Sequence, residues 1–306
     1  MIATRDAYGK ALVEQAKKNK DIVSLSADLG KSTKSVYLEK EFPEREIKMG
    51  ISEQDMMVTA AGLAHEGKIA FPSTFAIFTE RGFEQIRNSI ARPNMNVKIV
   101  GSHAGLITGE DGSSAQCIED FAIYRALPNM TVLCPVDAVE TTQFVEQLVK
   151  HKGPSYMRTT RNKVPVLYDK NKKLKIGKGE ILKEGNDVVV IGCGPLVSEA
   201  LRAAEELEGK VSVMVINIST IKPIDKDLII KAAKQTDGVV TAEDHNVIGG
   251  LGSAVADVLS ENYPAPLEKV GVNDVFGESG KPTDLYEKYG LTSKHIKEAI
   301  KRILKR

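Results

Sequence analysis

The sequence predicts an α/β protein made of two successive units, the first a parallel sheet with helices on both of its faces. Three observations carry that expectation. Short apolar runs of strand length alternate with helical segments along the whole chain. Small and polar residues gather directly behind the strands, as in Ala27-Asp28-Leu29-Gly30-Lys31-Ser32, where open α/β sheets place ligands. A stretch crowded with Lys, Asp and Asn, 162–178, interrupts the pattern before a second α/β series begins.

Taken in order, Ala3–Asn19 reads as an opening helix with Ala7, Ala11, Leu12 and Ala16 on one side. Strands are expected at 21–26, 47–49, 70–78, 97–101, 131–134 and 155–158. Helices are expected over 53–65, 79–90, 118–127 and 139–150, with 103–114 a long loop. Beyond the linker, strands fall at 187–191, 211–216 and 238–242, and helices at 197–208, 226–233, 252–262 and from Ser293 to the C-terminus. The basic residues of that last helix (Lys294, Lys297, Lys301, Arg302, Lys305 and Arg306) read as a solvated face suited to the helix dipole.

Composition narrows the function classes. With 306 residues, 42% of them hydrophobic, the chain is long enough to bury two cores. Lys plus Arg number 42 against 41 Asp plus Glu, a balance that points to neither nucleic acid nor membrane as a partner. Cys117, Cys134 and Cys193 are odd in number and lack metal-ligand spacing, which fits a reducing compartment without a disulfide framework. No apolar run of about 18 residues occurs, and residues 1–20 hold no apolar signal core. The expectation is a cytoplasmic protein, in which the sequons at Asn129 and Asn217 are incidental.

The most telling stretch is 48–65. Met56, Met57, Val58, Ala60, Ala61, Leu63 and Ala64 would cover every side of a helix, so it is expected to be buried all round. Ser52 stands at its N-cap with Asp55 three residues on, a variant of the capping box. Glu53 lies in the first turn, where the dipole favours its charge, and alone it needs no role beyond starting the helix. Several other motifs mislead. Gly192-Cys193-Gly194 has Val197 where a dinucleotide fingerprint needs its third Gly, and reads as a tight strand-to-helix turn. Gly280-Lys281 lacks the first Gly and the Ser or Thr of a P-loop. No Gly-x-Ser-x-Gly elbow presents a serine nucleophile. His65 reads as a core or helix-end histidine and His245 as part of the Gly249-Gly250-Leu251-Gly252 turn.

Gly50-Ile51-Ser52-Glu53, Ser73-Thr74-Phe75-Ala76-Ile77-Phe78 and Gly109-Glu110-Asp111-Gly112 resemble, in order and spacing, the pyrimidine-binding domain of transketolases. Residues 178–306 resemble that family's C-terminal domain. The resemblance implies a thiamine-diphosphate-binding fold over 1–161, a linker over 162–178 and a smaller, mixed α/β domain over 179–306. The family's N-terminal domain, whose Gly-Asp-Gly motif holds magnesium and the diphosphate, has no counterpart here. The chain thus resembles the C-terminal subunit of a split transketolase. That likeness implies a separate N-terminal subunit, self-association into an α2β2 assembly, and cofactor between unlike chains. Thiamine diphosphate would be shared, with Mg2+ or a similar divalent ion held mainly by the partner.

The same resemblance assigns residues. Glu53 would hydrogen-bond the far ring nitrogen of the aminopyrimidine, favouring the imino form that takes the proton of the thiazolium carbon. Phe78 would stack on that ring with Phe75 beside it, and Asp28 would lie near the thiazolium. Arg5, Ser32, His103 and Arg161 match the sugar-phosphate site, and Asp111 the residue that binds a sugar hydroxyl. Read alone, Phe75 and Phe78 fit a strand-end core equally well, the arginines a solvated surface, and Asp28 and Ser32 helix caps. One departure stands out: Ser113-Ser114-Ala115 replaces the usual Pro-Thr-His, so Ala115 removes a donor-sugar contact and leaves it to water, Gln116 or the partner. The rival readings are a 1-deoxyxylulose-5-phosphate synthase, a 2-oxoacid dehydrogenase β-type subunit, and a partner subunit that does not turn over.

Overall fold

The computed structural model describes residues 1–305. Six strands, Ile22–Ser26, Glu46–Lys48, Ile69–Phe75, Lys98–Ser102, Thr131–Leu133 and Ser155–Thr159, form a parallel array. Four of them are buried at every position, because helices cover both faces of the sheet. Across the sheet the order runs 131–133, 155–159, 98–102, 69–75, 22–26, 46–48. Parallel crossovers bring all the C-terminal strand ends to one edge, so the segments that follow adjacent strands lie side by side. In that spatial order they carry Arg161, His103, Phe75 with Phe78, Asp28 and Glu53.

The second sheet is mixed. Leu267–Val272, Val239–Asn246, Val188–Gly192 and Val213–Asn217 are parallel, and Glu180–Lys183 pairs antiparallel with the last. Its two edge strands escape the sequence pattern because their charged residues, natural on an edge, break the apolar run. Thr220–Lys222 leaves this unit altogether and adds antiparallel to Thr131–Leu133 at the margin of the first sheet. One apolar cluster runs through both units, from Leu25, Met57 and Tyr156 to Ile191, Met214 and Leu251.

The charged stretch 162–178 is anchored to the first unit. Lys163–Val164 pairs with Ile2–Ala3, and Tyr168 and Leu174 are buried. Asp137 caps the helix Ala138–Lys150 by accepting from Glu140 N with one oxygen, while the other accepts from Leu167 N and Tyr168 N at 2.8 and 2.9 Å.

Several local expectations are corrected. The strand expected over 70–78 ends at Phe75, and Ala76–Thr79 is already helical, continuing through a π-helical stretch at Ile86–Ala91. The short helices Gly30–Thr33 and Val36–Glu41, too short to show a period, lie behind the first strand. The helix Glu53–His65 buries only one face, through Glu53, Met56, Met57, Ala60 and Ala61; Val58 is 46% exposed. Gln54, Asp55, Val58, Gly62 and His65 on its other side are exposed, so apolar composition overstated its burial within this chain. Ser52 occupies the N-cap, yet its side chain makes no capping bond. His65 is exposed at the helix end. In the C-terminal helix Ser293–Ile303 the basic face is laced to acids rather than simply solvated: Lys294, Lys297 and Arg302 pair with Glu287, Glu206 and Glu268. Arg306 lies outside the described residues. Among them no helix is long and apolar enough to cross a membrane.

Candidate active site

At the shared edge of the first sheet a cleft of about 220 Å³ is lined by Ala27, Asp28, Leu29, Ile51, Glu53 and Phe78. Asp28 takes a left-handed backbone (φ 60°), a conformation a short acidic side chain tolerates, and its carboxylate stays exposed just behind its strand. Glu53 opens its helix and is only 4% exposed, and the exposed Arg81 stands beside it, with Nε 3.4 Å from Oε2. The change from strand to helix at Phe75 brings Phe78 onto the same side as Phe75, one turn on. Their rings stack at 5.5 Å with planes 9° apart.

Phe75 also stacks on His103, centroid to centroid at 3.8 Å, and so joins this cleft to a cationic group. Arg5 Nη1 donates to the Ser32 carbonyl at 2.9 Å and to His103 Nε2 at 3.2 Å. A guanidinium only donates, so Nε2 is an acceptor and the imidazole proton sits on Nδ1, 2.8 Å from Ser102 Oγ. Burial pushes the His103 pKa down to about 3, and Arg5, Arg161 and Lys34 lower it further. Burial also lowers the pKa of Arg5, opposed by Asp6 and reinforced by Arg161. Arg161 Nη1 donates to Thr108 O at 3.0 Å and to Asp111 Oδ1 at 2.9 Å.

The two arginines are 156 residues apart in sequence and are held in place by their neighbours. Thr160 N donates to Thr4 Oγ1 at 2.7 Å, and the two hydroxyls meet at 3.1 Å. Arg5 Nε is buried without a partner, an orphan donor in a group built from two guanidiniums and a neutral imidazole. That chemistry suits an anion.

The structure thus brings Asp28, Glu53, Phe75 and Phe78 together, and beside them Arg5, His103, Arg161 and Asp111. Ser32 joins through its carbonyl, inside a short helix rather than as its cap. Gln116 is buried; its amide nitrogen donates to Gly109 O and Glu278 O at 2.8 and 2.9 Å, and its Oε1 has no partner. Sequence reading missed Arg81, although it follows Phe78 by three on one helical stretch. It also missed the Glu80, Cys117 and Glu119 group, whose potential ligand atoms lie within 4.8 Å of one another. There the Cys117 thiol donates to Glu80 at 3.1 Å, and burial raises the Glu80 carboxyl to about 7.

Known proteins match this chain along nearly its whole length. The family described as "Transketolase, pyrimidine binding domain" matches residues 1–166, and "Transketolase, C-terminal domain" matches 177–296. The chain belongs to the transketolase family. Among its transketolase relatives, a Methanocaldococcus jannaschii protein provisionally described as a transketolase C-terminal section is 45% identical, covering 99% of this chain and 96% of its own length. The 6-deoxy-6-sulfo-D-fructose transketolase subunit of a Clostridium species is 41% identical over 99% of this chain and 94% of its own. A solved split-gene transketolase, described as an inactive β4 tetramer, superposes with a TM-score of 0.94 at 50% identity over 100% of this chain and 99% of its own. Mouse transketolase-like protein 2 is 42% identical, but this chain spans only 48% of it. The match is therefore to a transketolase C-terminal subunit of the split kind, and neither a synthase of deoxyxylulose phosphate nor a 2-oxoacid dehydrogenase subunit is favoured.

Proposed function

We propose that this chain supplies the pyrimidine and sugar-phosphate halves of a transketolase active site, completed by a separate N-terminal subunit. The observation that carries the reading is the stacked row Phe78, Phe75, His103, which sets a carboxylate-and-aromatic cleft directly against a cationic one. The residues fit one end of thiamine diphosphate, the cofactor of this family. Glu53 and Phe78 offer a buried carboxylate and an aromatic face for an aminopyrimidine, with Asp28 on the same cleft. Bound there, the cofactor supplies the electron sink that lets a two-carbon ketol unit pass between sugars.

A cleft of about 220 Å³ is too small for the whole cofactor, and its lining offers no cation for a diphosphate. The diphosphate and its Mg2+ belong on this reading to the partner. Glu53 orients the pyrimidine and holds a proton at its ring nitrogen. Arg5 grips the tail anion of the sugar, with Arg161 beside it, while the neutral His103 holds the Arg5 guanidinium in place through Nε2. Asp111, on the exposed side of Arg161, contacts a sugar hydroxyl. Ile51 is 82% exposed and Val58 46% exposed beside the cleft, which supports burial of this face in an α2β2 assembly. The similar β4 tetramer, described as inactive, supports self-association of such a chain without turnover.

The test is coupled ketol transfer by this chain, alone and mixed with its N-terminal subunit. Thiamine diphosphate, Mg2+, xylulose 5-phosphate and ribose 5-phosphate are supplied, and Glu53→Gln is the control. Activity in the mixture alone, abolished by Glu53→Gln, is the expected result. A 6-deoxy-6-sulfofructose donor run in parallel asks whether the anion site prefers a sulfonate tail, as the name of the Clostridium relative suggests. Stable assembly with no ketol transfer from either donor would sink the reading.

A further inference from the structure

The second unit lends no lining residue to the carboxylate cleft, yet it grips the loop that borders the anion site beside it. Asp244 lies near the end of the inner strand Val239–Asn246 and is 2% exposed. Its Oδ1 accepts from Leu106 N at 2.8 Å, and its Oδ2 accepts from Ile107 N at 3.0 Å and from the Tyr286 hydroxyl at 2.8 Å. Gly105 makes the approach possible: its φ is +79°, and a Cβ there would sit 2.3 Å from Asp244 Oδ2. Asp244 is itself fixed from the first unit, since its carbonyl accepts from Arg158 Nη1 at 2.8 Å while Arg158 is paired with the buried Asp120.

From the clamped residues the chain runs straight into the anion site. Thr108 directs its hydroxyl to His103 O at 2.7 Å and its carbonyl to Arg161 Nη1 at 3.0 Å. Asp111, three residues on, takes the same Arg161 nitrogen at 2.9 Å. The second unit holds this far end too, through Ser279 Oγ donating to Glu110 O at 2.6 Å. Arg161 therefore has two acceptors on a loop whose place is set by a carboxylate of the other unit.

We propose that Asp244 is a positioning residue for the sugar-phosphate site, the link by which the C-terminal unit sets where Arg161 and Asp111 stand. The inference rests on reading Arg5, His103 and Arg161 as that site. A carboxylate presents two acceptors to the two loop amides; an Asn amide presents one acceptor and turns two donors against the other N–H. Asp244→Asn should therefore loosen the loop without touching the cofactor cleft.

The experiment uses the assembled enzyme with its N-terminal subunit and compares ribose 5-phosphate with glycolaldehyde, an acceptor that has no phosphate. For Asp244→Asn we expect KM for ribose 5-phosphate to rise about tenfold, from a hydrogen bond to a charged group lost. We expect kcat/KM for glycolaldehyde and the Kd for thiamine diphosphate to stay within about twofold of wild type. Calorimetric titration of ribose 5-phosphate into the assembled protein should weaken by the same factor as KM. Tyr286→Phe, which keeps both amide bonds, should leave these constants near wild type and serves as the folding control. Equal losses for both acceptors, or no loss with either, would overturn the proposal. A wild-type enzyme that transfers no ketol group, or does not discriminate the phosphate, would instead overturn the reading of the site.

Discussion

The Phe75 ring lies flat on the His103 imidazole, centroids 3.8 Å apart, while its other neighbour, Phe78, lines the carboxylate cleft. One side chain therefore separates two chemistries, an aromatic seat on one side and an anion grip on the other. Replacing Phe75 should disturb both, whereas replacing Phe78 should disturb one. With stacked pairs worth about 0.5–1.5 kcal/mol, Phe75→Leu should weaken both thiamine diphosphate and ribose 5-phosphate about two- to tenfold, and Phe78→Leu only the former. Titrations of the two ligands into the assembled variants decide the matter.

His103 gives the protein a pH signature. Its folded pKa is pushed down to about 3 from 6.5, so the unfolded chain takes the proton first. Stability from this group is complete above about 6.5 and is lost as pH falls toward 3. His245, buried and lowered to about 4, acts in the same direction. Each such group should contribute a decline of up to about 1.4 kcal/mol per pH unit in urea unfolding from pH 7 to pH 4.5, against the opposite contribution of Glu80, Glu140 and Glu243, whose carboxyls burial raises to about 7; the reading is the change of slope that His103→Gln makes. Identical slopes for variant and wild type would refute the assignment.

Asp120 and Arg158 form a fully buried ion pair beneath the junction of the two units, with Phe121 against the guanidinium at 4.0 Å. Arg158→Met strands the Asp120 charge and should cost about 3–5 kcal/mol. Asp120→Asn combined with Arg158→Met should recover part of that loss, because neither charge is then left alone. Denaturant midpoints of the three proteins give the comparison.

The exposed side of the Glu53 helix should report on assembly alone. Val58→Asp leaves the buried face of Met56, Met57, Ala60 and Ala61 intact, so the isolated chain should unfold within about 0.5 kcal/mol of wild type. Sedimentation velocity should nevertheless show loss of self-association or of binding to the N-terminal subunit. Unchanged assembly would place the interface elsewhere.

The sequence by itself determined the α/β alternation, the order of the main elements and the residue types at the strand ends, because apolar period and strand length are local properties. It also carried the motifs around Glu53, Phe75, Phe78 and Asp111, whose spacing lies within single segments. Local pattern failed where a partner elsewhere decides the outcome. The edge strands Glu180–Lys183 and Leu267–Val272 look polar until a neighbour pairs with them. The Glu53 helix looks buried all round because composition does not say which side has a sheet to meet. The family resemblance put Arg5 and Arg161 in one site, and the tertiary structure supplies the physical reason they stand near each other: a Thr4–Thr160 hydrogen bond across the length of the first unit holds their neighbours together. Only the tertiary structure showed that Asp244, unremarkable in a strand of the second unit, reaches back to amides 138 and 137 residues earlier. Such contacts bring together residues whose separation along the chain carries no period, so periodicity and local spacing could not supply them.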